Sequence, residues 1–197
     1  QLAGWCMSNG EGYGTHFAGE AYQRIELSEN GLNCRIVPAS DPVGEGTYSA
    51  AEFMPALIRD GKKLENQDWT GEQPRACFGA GDQGIYMLVI EGRYPDEGIR
   101  GTSVNTCADI LLAYGCRNAL NMDGGSSAIL WYDGEYVTQS SSSPPALHRR
   151  PPAAERMGLR MNFHVDNRRK CGKISAILEN RVEKPSVPVQ LSERRGR

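Results

Sequence analysis

Apolar and polar positions along the 197-residue chain fall into their clearest pattern from Pro74 onward. "RACFGA" (75–80) and "GIYMLVIEG" (84–92) are β-rich runs on either side of a Gly-Asp-Gln-Gly turn, which predicts a hairpin. In "TSVNTCADILLAYG" (102–115), Val104, Cys107, Ala108 and Leu111 recur at helical spacing. Thr102 or Ser103 can cap that helix and Gly115 can stop it. "RNALNM" (117–122) follows as a short strand. Because a helix joins it to "IYMLVI", the two strands can run parallel as a β-α-β unit without having to be neighbours. "AILWY" (128–132) and "EYVT" (135–138) flank Asp133-Gly134, a second hairpin signal. "RMGLRMNFHV" (156–165) alternates, with Met157, Leu159, Met161, Phe163 and Val165 on one face of a half-buried strand.

The first seventy residues give less. "YQRIEL" (22–27) and "CRIVPA" (34–39) read as strands around "SENG", and "SAAEFMPALIRDG" (49–61) fits neither period cleanly. Gly-rich "NGEGYG" (9–14) reads as a loop, and "QSSSSPPALHRRPPAA" (139–154) as a floppy loop or a substrate lid. The expected fold is therefore α+β: one domain over residues 1–165, with a mixed β-sheet, flanking helices and a β-α-β core unit. Residues 166–197 turn polar and read as a basic tail or tether.

Composition supports one ordinary core, with 39% hydrophobic and 23% charged residues. No apolar run approaches the roughly 20 residues a membrane span requires. Starting at Gln1 and entering "LAGWCMSNG" directly, the chain reads as a mature protein or an excised piece. The net charge of −2 hides an asymmetry: residues 166–197 hold nine Lys and Arg against four Asp and Glu, leaving an acidic body. That tail lacks the interleaved aromatics of a nucleic-acid surface, so a protein partner suits it better. Six cysteines, none in a CxxC pair, argue against a zinc ribbon and permit three bridges, a weak pointer to an extracellular or cell-surface location. For Cys77 in a strand and Cys107 on the apolar helix face, a buried free thiol is the plainer explanation.

Strand direction supplies the functional argument. In the first hairpin Arg75 opens one strand and lies beside Glu91 and Arg93, which close the other. If "RNALNM" runs parallel to "IYMLVI", Asp123 leaves the sheet at the same edge, followed by Gly124, Gly125, Ser126 and Ser127. Asp-Gly-Gly alone would be only a tight turn. Its convergence with two arginines and a second carboxylate changes that reading. Guanidinium forks match phosphate, whereas carboxylates beside a phosphate imply acid–base or nucleophilic work, a cation, or sugar hydroxyls. The combination points to a substrate carrying both a phosphate and a sugar. Ca²⁺ held by Asp123 and neighbouring oxygens is a further reading, although one Asp-Gly-Gly supplies few ligands and no metal or cofactor is required.

The run "PRACFGAGDQGIYMLVIEGR", the helix after it and "NALNMDGGSSAIL" resemble the phosphodiester glycosidase family in order and spacing, above all its exopolysaccharide-associated branch. "LIRDGK" (57–62) and "SNGEGY" (8–13) resemble two further family segments. The resemblance implies a hydrolase that cleaves the sugar–oxygen bond of a sugar-1-phosphodiester such as that of N-acetylglucosamine. It implies a site lined by Asn9, Arg75, Glu91, Arg93, Asp123 and Gly124, with Gly125 and Ser126 close by and Arg149 or Arg150 reaching in from the late loop. Asp123, Glu91 and Arg75 would be catalytic, and the partner a sugar phosphate or glycan. Three departures stand out: Glu11 where the loop has glycine, Glu91 where an aspartate is usual, and no evident strand before "SNGEGY". The altered loop and the missing strand support an alternative in which the same fold serves as a weakened binding or assembly module.

Overall fold

A computed structural model describes residues 4–132, 135–138, 140–142, 162–163 and 174–179. The first quarter of the chain forms a five-stranded antiparallel sheet, built from β1 (Trp5–Ser8), β2 (Glu11–Gly14), β3 (Gln23–Leu27), β4 (Cys34–Pro38) and β5 (Ser49–Phe53) in the order β2-β1-β5-β3-β4. Trp5–Ser8 supplies the strand that the sequence did not reveal, and four of the six residues of "NGEGYG" are strand. Only Asn9 and Gly10 turn, both at positive φ, as a two-residue hairpin requires. The ambiguous segment 49–61 is two strands. A break at Met54-Pro55 sends β5 into one sheet and β6 (Ala56–Arg59) into the other, because proline cannot donate to a ladder.

The second sheet has seven strands in the order β13-β14-β9-β8-β10-β6-β7. The remaining elements are β7 (Lys62–Lys63), β8 (Arg75–Gly81), β9 (Gly84–Ile90), α1 (Val104–Ala113), β10 (Cys116–Asn121), a small hairpin of β11 (Trp131–Tyr132) with β12 (Glu135–Tyr136), then β13 (Asn162–Phe163) and β14 (Ile174–Glu179). The expected single mixed sheet is thus corrected to two sheets in which every pairing is antiparallel. β9 and β10 do run parallel across the α1 crossover, but β8 lies between them and pairs with both. Only one α-helix is present among the described residues. None is long and apolar enough to cross a membrane.

β14 pairs with β9 along most of its length. Residues 174–179, placed in a tail by their basic surroundings, therefore form a strand of the larger sheet. Of the strand expected over 156–165, Asn162–Phe163 is described and pairs with β14. The other positions in 156–165, the loop at 143–154 and the rest of the expected tail lie outside the described residues.

Alternation along β8, β9 and β10 creates two apolar faces. One takes α1, whose Val104, Cys107, Ala108 and Leu111 are buried against Leu57, Ile58, Tyr86, Leu88 and Ile90. Fully burying such a side chain contributes about 1.5–3 kcal/mol. Ser103 caps the helix by accepting the Thr106 amide, and Gly115 at φ 87° ends it. The opposite face takes the five-stranded sheet, with Ile25, Leu27 and Ile36 against Ala80 and Leu120. Cys6, Cys34, Cys77, Cys107 and Cys116 are free thiols.

The outer face of the smaller sheet is charged. Arg24 is fully buried there, donating to Glu26 at 2.8 Å and to the carbonyls of Ala39, Asp41 and Pro42. Glu52 accepts from the Phe17 amide and pairs with His16 Nδ1 at 2.6 Å. His16 stacks on Trp5.

Candidate active site

The larger sheet delivers the site because its register is fixed. Arg75 lies opposite Ile90, so Glu91 and Arg93 leave β9 where β8 begins. Asn121 lies opposite Cys77, so Asp123 leaves β10 at the same end. Two backbone bonds continue the pairing past the strand, from the Met122 amide to the Ala76 carbonyl at 2.8 Å and from the Gly125 amide to the Pro74 carbonyl at 2.9 Å. Arg75, Glu91, Arg93 and the 123–126 segment thus share one rim.

The glycines are there for lack of room. A Cβ on Gly124 would come within 2.8 Å of the Pro74 carbonyl oxygen. Gly125 sits at φ 60°, and a Cβ there would lie 3.1 Å from the Arg93 guanidinium. Ser126 belongs to a short 3₁₀ turn over Gly125–Ser127, and its carbonyl accepts the Ser140 hydroxyl at 2.8 Å. Ser140 in turn accepts Tyr94 Oη at its own carbonyl, 3.0 Å away, which ties the loop after β9 to the loop after β10.

The two arginines are not equivalent. Arg75 is 6% exposed, and its Nε and Nη2 donate to the carbonyls of Thr102 at 3.0 Å and Gly71 at 2.8 Å. Its guanidinium also lies over the Trp69 ring, 5.9 Å from the centroid. Burial lowers its pKa; the Cys107 and Cys77 thiols offset part of this and Arg93 adds to it. Arginine remains charged throughout. Arg75 therefore carries fixed positive charge beneath the rim and holds two loops in place. Arg93 is exposed, with φ 67°, and donates from Nε to Gln73 Oε1 at 2.9 Å. Its two terminal nitrogens have no partner among the described residues.

Asp123 is exposed and makes no hydrogen bond or ion pair among the described residues. A carboxylate left unpaired beside a cationic floor is available to a ligand. Glu91 is half-buried and close enough to Tyr94 that its charge, after burial itself, raises the phenol's pKa. Asn9 is exposed in the β1–β2 turn. The smaller sheet steps along β10 from Cys34, whose carbonyl accepts from Asn118, to Met54, whose carbonyl accepts from Asn121. β1 and β2 lie beyond β5 in the order of the smaller sheet. Asn9 itself makes no side-chain bond to the rim. Glu11 accepts the Tyr13 hydroxyl at 2.7 Å. Arg149 and Arg150 lie outside the described residues. No group of three or more His, Cys, Asp or Glu side chains gathers as a metal site among the described residues.

Sequence reasoning missed Gln73, Trp69, Tyr94 and Ser140. None carries a motif, and each earns its place through a contact with a residue 6 to 46 positions away in the chain.

This arrangement, two antiparallel sheets with a helix-joined strand pair opening on a rim of arginine and carboxylate, is a fold that comparison can place. The sequence model of the phosphodiester glycosidase family matches residues 4–154, and the chain belongs to that family of glycosidases. Among solved structures it is similar to the catalytic domain of zebrafish N-acetylglucosamine-1-phosphodiester alpha-N-acetylglucosaminidase, solved auto-inhibited by its pro-peptide. That match has 18% identity and a TM-score of 0.58, and covers 92% of this chain and 59% of the zebrafish chain. It shows the fold. A hypothetical protein from Synechocystis matches at 19% identity and a TM-score of 0.38, over 62% of this chain and 32% of its own. No curated protein matches the sequence.

Proposed function

We propose that the protein hydrolyses the glycosidic bond of a sugar-1-phosphodiester of the N-acetylglucosamine type, releasing the free sugar and a phosphomonoester. The observation that carries this reading is the exposed carboxylate of Asp123 on the same rim as Arg93, with neither that carboxylate nor the terminal nitrogens of Arg93 paired among the described residues. Membership of a glycosidase family supports the reaction type.

The chemistry divides along the rim. Arg93 takes the phosphate as a planar fork, and Arg75 beneath it adds charge that needs no reorganisation as the leaving oxygen becomes anionic. A phosphomonoester leaves as a stabilised anion, its second pKa near ~6, so strong protonation of the leaving oxygen is optional. Asp123 faces the anomeric carbon, as nucleophile or as the base that takes a proton from attacking water. Glu91 accepts sugar hydroxyls. Gly124 and Gly125 let the chain pass close to Pro74 and Arg93, which keeps the guanidinium and the Asp123 carboxylate on one rim.

Incubation with a methyl phosphodiester of N-acetylglucosamine 1-phosphate, with and without chelator, tests the proposal. Release of N-acetylglucosamine and methyl phosphate, unaffected by chelator, is expected. Binding without release would instead make the protein a recognition module.

A further inference from the structure

Arg93 occupies an unusual resting place. Few residues other than glycine sit at φ 67°, and such a backbone persists only where its surroundings over-determine it. Gly92 beside it is buried, and a Cβ there would lie 2.7 Å from the Arg100 carbonyl oxygen, so the chain is pinned just before Arg93 turns outward. The guanidinium then lies alongside Gly125, where absence of a side chain leaves it space.

One side chain sets its rotation. A guanidinium has only donors, so its 2.9 Å contact with Gln73 must use the amide oxygen. Gln73 is itself rigidly mounted: its backbone exchanges two hydrogen bonds with Thr102, at 3.1 and 2.9 Å, and Gly101 packs against it so closely that a Cβ would fall 2.3 Å from the Gln73 carbonyl carbon. Thr102 also accepts from buried Arg75. The acceptor that holds Arg93 is therefore fixed to the same frame that holds Arg75.

We infer that Gln73 is a positioning residue: it occupies Arg93 Nε, so that the two terminal nitrogens are presented together as a fork to a phosphate group on the rim beside Asp123. A neutral amide suits this task. It accepts the hydrogen bond without cancelling the charge, as a carboxylate would. The inference rests on the reading of Arg93 as the arm that takes the substrate's phosphate.

The test uses inorganic phosphate as a calorimetric probe and the methyl phosphodiester of N-acetylglucosamine 1-phosphate as substrate. Gln73→Ala should weaken phosphate binding about tenfold, the scale of one bond to a charged group. It should raise KM by a similar factor and change kcat by less than about twofold. In an Arg93→Ala background the Gln73→Ala change should have no further effect on phosphate affinity, since its target is gone. If Gln73→Ala does not fold, Gln73→Met keeps the stem and removes the acceptor. Unchanged phosphate affinity in the Gln73 variant, an equal loss with and without Arg93, a fall in kcat alone, or no phosphate binding by the wild-type protein would each overturn the inference. A wild-type protein that binds phosphate but turns over no sugar phosphodiester would sink the proposed reaction and leave Gln73 to be judged by calorimetry.

Discussion

Asp123 and Gly125 lie two positions apart and carry different burdens. Asp123 is exposed and makes no pairing among the described residues, so its replacement should leave the fold alone. Asp123→Asn is expected to keep the thermal midpoint and lower turnover of the sugar phosphodiester by about 10²–10⁴-fold, the range for losing a positioned acid–base group. Near-normal turnover would remove it from the chemistry. Gly125→Ala should act the other way, through structure. At φ 60° an added Cβ costs about 1–2 kcal/mol, visible as a lower urea midpoint. It would also push on the Arg93 guanidinium 3.1 Å away and weaken phosphate binding. The sequence shows that Asp-Gly-Gly can turn tightly. It cannot show which glycine makes room for what, because the obstacles are Pro74 and Arg93, which lie far off in the chain and are brought near only by the sheet register. Gln73 is illegible for the same reason: nothing in a lone glutamine announces an arginine twenty residues later.

Elements were readable where period and punctuation agreed. The β8–β9 hairpin and α1 appear with their turn, cap and stop in the chain, and the four helix positions expected to be apolar are the four that are buried. β5 and β6 were not, since Pro55 interrupts an apolar run that belongs to two sheets. β1 and β2 were obscured by shortness and glycine. β14 was hidden because "ISAILE" sits among lysines and arginines, and charge balance outweighed a six-residue run. That last case makes a prediction. A chain ending at residue 173 loses the ladder with β9 and should be less stable in urea than one ending at residue 182, by about 3 kcal/mol, the sum of several backbone bonds. Its exposed β9 edge should also promote association, measurable by light scattering. Equal stability of the two truncations would return residues 174–179 to the tail.

At the scale of the whole molecule, the rim depends on a sheet that carries buried charge on its outer face. Glu26 is 2% exposed, and burial by itself would raise its pKa. Hydrogen bonds from Arg24, Arg35 and Thr47 outweigh that and hold the carboxyl below its ordinary 4.5. A folded-state pKa below the unfolded one contributes stability that is fully present above about pH 4.5 and disappears as pH falls through the folded value. Urea unfolding of the wild-type protein should therefore show stability falling below pH 4.5. Glu26→Gln should remove part of that acid slope. It should also lower stability at pH 7 by about 3 kcal/mol, because Arg24, fully buried, loses its closest counter-charge. A variant that keeps the full acid slope would assign the acid sensitivity to other carboxylates. The link to the rim is mechanical: β5, paired with β3 beside this network, runs on to Met54, whose carbonyl accepts from Asn121 two residues before Asp123. Loosening the charged face should therefore reduce turnover in acid before global unfolding, and assays of Glu26→Gln and wild type between about pH 3.5 and 5, which brackets the ordinary carboxylate range, would show whether the two losses coincide.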